Sequence, residues 1–557
     1  MLHKKEVEKD IARELTKARL KTRKDLDYFK RQMAKKHKIT CLKTSDLLKI
    51  YHETNKSESK KASPHLEKLL VKRPMRSLSG IVNVSVLTKP YPCPGKCIFC
   101  PTQKNIPKSY LAKEPAVQRA ILNKFNPYQQ VWMRLLSLKE TGHPIDKVEL
   151  RIIGGTWSYY PKRYQEWFMA QCHKACNDFP LKRVPAQSTK LNFVKLQRQN
   201  EKAKCRLVGI AIETRPDYIN SKEIKWMRSL GITKAELGVQ SIDNKVLNLN
   251  QRGHGVKEII EATHLLKDAG FKVSYQMMPG LYGSNVKKDL AVFKEIFTNP
   301  DFKPDYLKIY PLALVKNTKL YNLYQQGKFK PYSEKELTKL LVEIKKLIPH
   351  WVRVERVIRD IPSGDIVEGG SKILNLREVA LAEMAKQGIS CQCVRCREVK
   401  ENYDAKEKLY LFKETYEASA GQEIFLSFEN KSRTKLYALL RLRLPQSSVA
   451  AEIPLIFPAL KEAAIIRELH TYGQMAQINN LKNHKGAQHK GLGKKLLQEA
   501  EKITKESSYK KTCAKQRRST CAEQRRSIAV ISAIGVRPYY RKLFFKLKDT
   551  YMVKNLK

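Results

Sequence analysis

Within the first forty positions, apolar residues recur at helical spacing (Ile11, Leu15, Leu20, Leu26, Phe29) among many charged ones, which predicts a helical module. Residues 56–63 carry no large apolar side chain and read as a linker or exposed loop. From about Ile81 the period changes. Short β-rich runs at 81–88, 147–153, 206–214, 234–240, 271–278 and 306–314 alternate with amphipathic helical stretches such as 116–138, 160–176, 256–269 and 286–297. That alternation predicts an α/β fold, a parallel sheet with right-handed crossovers. Six such units fall short of a closed eight-fold barrel, so a partial (β/α)6 barrel is expected.

A cysteine-rich connector at 388–399 follows. Beyond it, strand-like runs at 409–417, 423–429 and 436–444 lead into 463–472, a helical stretch at 491–505 and a strand at 528–534, which predicts a separate α+β domain. The chain therefore divides into a basic N-terminal segment (1–75), the barrel (76–350), a linker with the cysteine cluster (351–405) and the C-terminal domain (406–557). T-C-A-K-Q-R-R-S at 512–519 is repeated as T-C-A-E-Q-R-R-S at 520–527, a tandem copy that reads as a surface-loop insertion.

Charge changes the picture. With 108 Lys+Arg against 54 Asp+Glu, the chain carries a formal charge of +54, and the first forty residues alone hold fourteen basic against six acidic side chains. An excess of this size points to a polyanion, nucleic acid ahead of an anionic membrane, although a lysine-rich proteome would supply part of it. No stretch approaches the ~18–20 apolar residues that span a bilayer, and no apolar leader opens the chain, so a reducing cytoplasmic location without membrane attachment is expected. There, twelve cysteines, six of them in two tight clusters, read as metal ligands rather than disulfides.

The first cluster is Cys93-P-G-K-Cys97-I-F-Cys100. Three thiolates suit iron, and on a four-iron cube they leave one iron open for a substrate or cofactor; a zinc knuckle short of its fourth ligand is the competing reading. The cluster follows the first strand, at the mouth of the expected barrel, where such folds place their chemistry. This C-x3-C-x2-C pattern resembles the signature of the radical S-adenosylmethionine (radical SAM) enzymes. The resemblance implies a [4Fe-4S] cluster whose open iron is chelated by the amino and carboxylate groups of the cofactor. Gly154, Gly155 and Thr156 then look like the glycine motif against the cofactor's amino end. Glu213, Arg215 and Gln240, at the ends of later strands, are candidates for its ribose or carboxylate, with ordinary salt bridging as the alternative.

In the C-terminal domain, Gln488-H-K-Gly491-Leu492-Gly493-Lys494 precedes an amphipathic helix, an arrangement that exposes backbone N–H groups to a pyrophosphate. It resembles the coenzyme A loop of the GNAT acetyltransferases. Arg467–His470 upstream, and Tyr539 and Tyr540 downstream, fit that context, a tyrosine hydroxyl being able to donate to a thiolate; one of the pair is expected to serve packing instead. Cys391-Q-Cys393-V-R-Cys396 reads as structural zinc with the fourth ligand unidentified, a second iron–sulfur site being the runner-up.

The order of these domains, and the strings S-Y-L-A-K-E-P-A-V-Q-R-A, E-T-R-P-D-Y, E-L-G-V-Q-S, M-M-P-G-L, R-E-L-H-T-Y-G and Y-Y-R-K-L, resemble the Elp3 family, the Elongator catalytic subunit and its free-standing prokaryotic relatives. The resemblance runs from about Ile81 to the C-terminus, and the short cluster spacing is like that of the prokaryotic type. It implies a tRNA uridine(34) C5-carboxymethyl synthase. A 5′-deoxyadenosyl radical would take a hydrogen from the methyl group of acetyl-CoA, the carbon radical would add to C5 of the wobble uridine, and thioester hydrolysis would leave the carboxymethyl group. By position, Cys93, Cys97 and Cys100 hold the cluster, while Lys147, Glu468, Leu469, His470, Thr471, Leu492, Gly493, Lys494 and Tyr540 contact acetyl-CoA. The implied partners are the anticodon stem-loop of tRNA and an electron donor, with a homodimer left open. Departures from the family pattern are Phe544-Phe545 in place of Gly-Tyr, Tyr282-Gly283 in place of Pro-Gly, and insertions at 484–487 and 512–527. The alternatives are a protein lysine acetyltransferase using only the C-terminal domain and a non-catalytic tRNA-binding protein.

Overall fold

Seven parallel strands, side by side in chain order, build the larger sheet: β1 (Val82–Leu87), β2 (Lys147–Ile153), β3 (Arg206–Thr214), β4 (Lys234–Gln240), β5 (Lys272–Met277), β6 (Tyr306–Ile309) and β7 (Arg353–Val357). The computed structural model describes the chain apart from residues 1, 58–62, 182–190, 446–451, 477, 479–487, 489, 516–526 and 557. The sheet is the expected partial barrel with one strand more than the six expected, and it runs past residue 350, where the sequence pattern ends it. The seventh strand reads Arg-Val-Glu-Arg-Val: its valines are buried while Arg353, Glu355 and Arg356 alternate with them, so no apolar run marks it. On β2 the same alternation buries Val148, Leu150 and Ile152 in the main core and leaves Glu149 and Arg151 on the other face, toward the barrel interior. Strand β6 stops at Ile309, short of the expected end at 314, with Pro311 just beyond.

Where one long helix is expected over 116–138, two form, Pro115–Leu122 and Pro127–Glu140. The second starts on its own cap: Asn126 accepts from the Gln129 N–H, and Pro127 takes the first helical position. The N-terminal helices Leu2–Lys17, Arg23–Lys36, Thr44–Ser57 and Pro64–Leu70 enclose a small core of their own, including Ile11, Leu15, Leu26, Phe29 and Tyr51.

The second sheet comprises β8 (Tyr410–Glu417), β9 (Gly421–Glu429), β10 (Leu436–Pro445), β11 (Ala463–Thr471), β12 (Ser527–Val530), β13 (Lys546–Lys548) and β14 (Tyr551–Asn555), in the order β13-β14-β12-β11-β10-β9-β8. Among the described residues only β11 and β12 of this sheet pair in parallel, and their register runs from Ala463–Ser527 to Ile466–Val530. The helix Leu492–Lys515 crosses between them. Residues 484–487 and 516–526, which include most of the second repeat copy, lie outside the described residues.

This sheet is seated against the amino ends of the barrel strands through buried ion pairs. Arg467 on β11 bonds Asp305, just before β6, at 2.5 and 2.7 Å and Glu423 on β9 at 2.8 Å. Arg443 on β10 reaches Asp268 at 2.7 Å and Glu423 at 3.0 Å, and Arg441 bonds Glu468 at 2.8 Å. Tyr306 of β6 donates its hydroxyl to Glu468. Each of these arginines is almost wholly buried, so removing one acid leaves a cation in a site that water cannot reach.

Burial alone would raise the Glu468 carboxyl, but Arg441 and further cations bring it down to about 2. Its folded state therefore releases the proton more readily than the unfolded chain, near 4.5. The resulting stabilisation, on the order of 3 kcal/mol, is complete above that value and lost as pH falls toward about 2. Glu468→Gln should lower stability at neutral pH, and the difference from the parent should shrink steadily as denaturant midpoints are measured from pH 5 down to 2.5.

Candidate active site

The carboxyl ends of the barrel strands surround a cavity of about 230 Å³. Beyond β1 the chain runs through Pro90, Pro92 and Pro94, which hold it extended, into the cysteine loop. All three cysteines line the cavity. Gly95 makes the loop possible: a Cβ there would lie 2.7 Å from Arg215 Nη1, 3.4 Å from Cys97 Sγ and 3.6 Å from Cys93 Sγ, so two thiols and a guanidinium converge on its bare face. Burial, then the neighbouring Cys97, pushes the Cys100 thiol up to about 11, so thiolates here call for a cationic occupant.

Sulfur spacing separates the two cysteine triads. The sulfurs of Cys391, Cys393 and Cys396 all lie within 4.8 Å of one another, which suits one ion, since a Zn–S bond of 2.3 Å puts tetrahedral sulfurs about 3.8 Å apart. The sulfurs of Cys93, Cys97 and Cys100 do not all meet that limit, and on a multi-iron cluster each would bind a different iron. In the tighter triad, hydrogen bonds from Cys391 and Cys396 hold the Cys393 thiol well below its usual range.

The strand-end residues divide. Gly155 and Thr156 line the cavity, with Thr156 Oγ1 3.8 Å from Cys93 Sγ; Gly154, at φ +124°, packs against β1, where a Cβ would meet Thr88 Oγ1 at 2.2 Å. Glu213 lines the cavity but is already engaged, accepting from Tyr110 at 2.9 Å, Gln276 at 3.0 Å and Lys308 at 3.2 Å. Arg215 chelates Asp217 at 2.9 Å and keeps a buried Nη1 without a partner among the described residues, as Gln240 does its Oε1. Beneath them a ladder fills the barrel interior: Arg151 to Glu236 at 3.2 Å, Lys308 to Glu236, Lys234 to Glu236 at 3.5 Å and Lys234 to Glu355 at 2.5 Å.

Several lining residues escape sequence reasoning. Arg252 donates to Cys97 Sγ at 3.1 Å, and Lys108, Arg119, Arg151, Arg356 and Arg359 join it and Arg215, seven cations against the acids Glu114, Glu213 and Asp360. His254 is held neutral down to about 3 by burial and then by Arg252 and Arg215. Arg252 and His254 stand in an R-G-H string, whereas Arg356 lies on β7 and Arg359 just past it, a strand that no apolar run marks.

The second candidate site lies at the opposite end of the barrel. A Cβ on Gly493 would meet Tyr539 Oη at 3.2 Å, Leu469 Cδ2 at 3.8 Å and Thr471 Oγ1 at 4.0 Å, so these residues share one small space. Gly491, at φ +81°, is open, and Lys494 is exposed. Leu492 and Tyr540 are buried in the core, which makes Tyr540 the packing member of the tyrosine pair and leaves Tyr539, 41% exposed, on the loop side. Gln488 is fully occupied as a brace: it accepts from Lys147 at 2.9 Å and the Ala476 N–H at 3.0 Å, and donates to the Gly80 and Thr471 carbonyls at 3.1 and 3.0 Å. Burial lowers the Lys147 ammonium to about 8 against the opposing pull of Asp146. His470 bonds the Ser79 carbonyl at 2.7 Å, and Glu468 is committed to the ion pairs between the sheets.

Residues 91–295 match the family model described as the Radical SAM superfamily, and residues 304–386 the one described as the Radical SAM C-terminal domain. The chain is 42% identical over 551 residues to a Methanocaldococcus infernus protein named tRNA uridine(34) acetyltransferase, covering 95% of this chain and 97% of that one. It is 37% identical over 500 residues to Elongator complex protein 3 of Homo sapiens, covering 87% of this chain and 86% of that one. The solved structure of the archaeal Methanocaldococcus infernus Elp3 with N-terminus deletion (1-46) superposes with a TM-score of 0.70 at 39% identity, covering 86% of this chain and all of that one.

The Phe544 departure leaves the turn intact. Phe544 adopts φ +68°, the left-handed conformation glycine favours, with its ring 83% exposed, and the Phe544 and Phe545 N–H groups bond Arg541 and Tyr540 carbonyls at 3.1 Å. Phe544→Gly should therefore stabilise the protein by about 0.5–1 kcal/mol, read as a higher denaturant midpoint with an unchanged slope.

Proposed function

The chain belongs to the Elp3 family, and on that premise we propose that it is a tRNA uridine(34) C5-carboxymethyl synthase, joining the methyl carbon of acetyl-CoA to C5 of the wobble uridine before the thioester is hydrolysed. One observation carries the reading: three thiols and a surplus of cations, Arg215 and Arg252 buried among them, share a cavity at the barrel mouth. Cys93, Cys97 and Cys100 would hold a [4Fe-4S] cluster, which when bound supplies the electron that splits S-adenosylmethionine into methionine and a hydrogen-abstracting radical. The chain's own residues prepare the space. Gly155 lets backbone approach a guest closely, and Arg215 and Gln240 offer polar atoms that have no partner among the described residues.

Charge supports an RNA substrate. The formal charge is +54, and Arg73, Arg76, Arg119 and Arg134 lie close enough that burial and then mutual repulsion bring Arg134 down to about 10. Arg119 also lines the cavity, so this cluster leads from the N-terminal segment to the mouth that a splayed base would enter. Acetyl-CoA would sit against Leu469, Thr471, Gly493 and Tyr539 in the second domain, and one zinc ion on Cys391, Cys393 and Cys396. An external one-electron donor is required, and the reducing cytoplasm is the compartment that keeps these thiols available.

Anaerobic incubation of the reconstituted protein with S-adenosylmethionine, acetyl-CoA, a reductant and tRNA should yield carboxymethyluridine by nucleoside mass spectrometry, and Cys97→Ala should abolish it. Acetylated protein that persists in Cys97→Ala, with no modified tRNA from the parent, would favour a protein acetyltransferase. Metal analysis should find about one zinc per chain, lost in Cys393→Ser but retained in Cys97→Ala, whereas iron follows the opposite pattern.

A further inference from the structure

We propose that Arg252 is a positioning residue that sets the reduction potential of the cluster on the cysteine triad, through its guanidinium hydrogen bond to Cys97 Sγ. The inference rests on the cluster reading above and goes beyond it, since it concerns how readily that cluster accepts an electron.

Two links fix Arg252 against the loop. Its Nη1 donates to Cys97 Sγ at 3.1 Å while Nη2 donates to the Gly238 carbonyl at 2.5 Å, and the Ile98 N–H bonds the Asn250 carbonyl at 3.3 Å, tying the same turn to the loop a second time. Gly238 leaves the room: a Cβ there would lie 3.4 Å from Nη2. Arg252 is only 6% exposed, and among the described residues no carboxylate lies within 4.0 Å of it. Its neighbour Arg215 differs, being chelated by Asp217 at 2.9 Å. A buried guanidinium without an acid is costly unless another negative group faces it, and the group facing Arg252 is a cysteine that ligates the cluster.

Reduction adds one electron to the cluster from a low-potential one-electron donor; no bond forms or breaks at Arg252, which stays protonated throughout. The added charge falls partly on the sulfurs, so an N–H donor and a cation on one of them favour the reduced form more than the oxidised form and raise the potential.

The test is a redox titration of the full-length, anaerobically reconstituted protein, followed by the electron paramagnetic resonance signal of the reduced cluster. Arg252→Gln should keep its iron and shift the one-electron equilibrium about tenfold toward the oxidised form, a potential lower by about 59 mV. Arg252→Lys, which retains a charge, should fall between the two. An unchanged potential in Arg252→Gln overturns the proposal, including the case where only S-adenosylmethionine binding weakens, which would make Arg252 a cofactor ligand. Loss of iron from both variants overturns it too, because Arg252 would then merely hold the loop. Failure of the unsubstituted protein to bind iron would instead sink the cluster reading, and the parent sample alone reveals it.

Discussion

Three buried arginines, Arg441, Arg443 and Arg467, hold this protein in one piece. They project from β10 and β11 into the seam between the sheets and meet acids from both sides, Asp268 and Asp305 from the barrel and Glu423 and Glu468 from the second sheet. Apolar surfaces would tolerate many relative orientations of two domains. A lattice in which each guanidinium must find particular carboxylates at hydrogen-bond distance accepts very few, because any slip strands a charge away from water. Further contacts follow the same seam: Arg228 donates to the Thr550 carbonyl at 2.6 Å, and Gly535 lies so close to β3 that a Cβ would meet Arg206 Cβ at 2.7 Å.

Much of the fold is legible because its strands obey a simple rule. β2, β3 and β4 begin and end where the sequence changes from apolar-rich to turn-forming residues, and each leads into a helix whose first turn is capped or proline-led. The rule fails where the barrel interior is ionic. β7 contributes Arg353, Glu355 and Arg356 in five residues, and its strand character comes from neighbours on β6 rather than from its own composition. The break between Pro115–Leu122 and Pro127–Glu140 has a different cause: the Asn126-Pro127 cap opens a second helix, a stop that apolar periodicity alone does not register.

The candidate site was legible in its ligands and obscure in its surroundings. Cysteine spacing marks the triads because covalent chemistry imposes it, and the glycines before Thr156 follow from the need for φ values of +124° and +107°. The cations were hidden, because a basic residue inside a chain with 108 of them carries no signal until the fold gathers seven around one cavity. In the second domain the motif is legible but the packing of its members is not. Gln488 spends all its hydrogen-bonding capacity as a brace between the sheets, Tyr540 fills the core, and Tyr539 faces the loop glycine.

The ladder of Arg151, Glu236, Lys308, Lys234 and Glu355 has a logistical consequence. Cys93 and its companions stand at one rim of the barrel and Gly493 with Tyr539 at the other, with strands of up to nine residues, about 30 Å, between them. With its bore plugged by interlocked charges, the barrel is a partition rather than a tunnel. If the two rims serve one reaction, as proposed, whatever passes between them has to travel around the wall rather than through it.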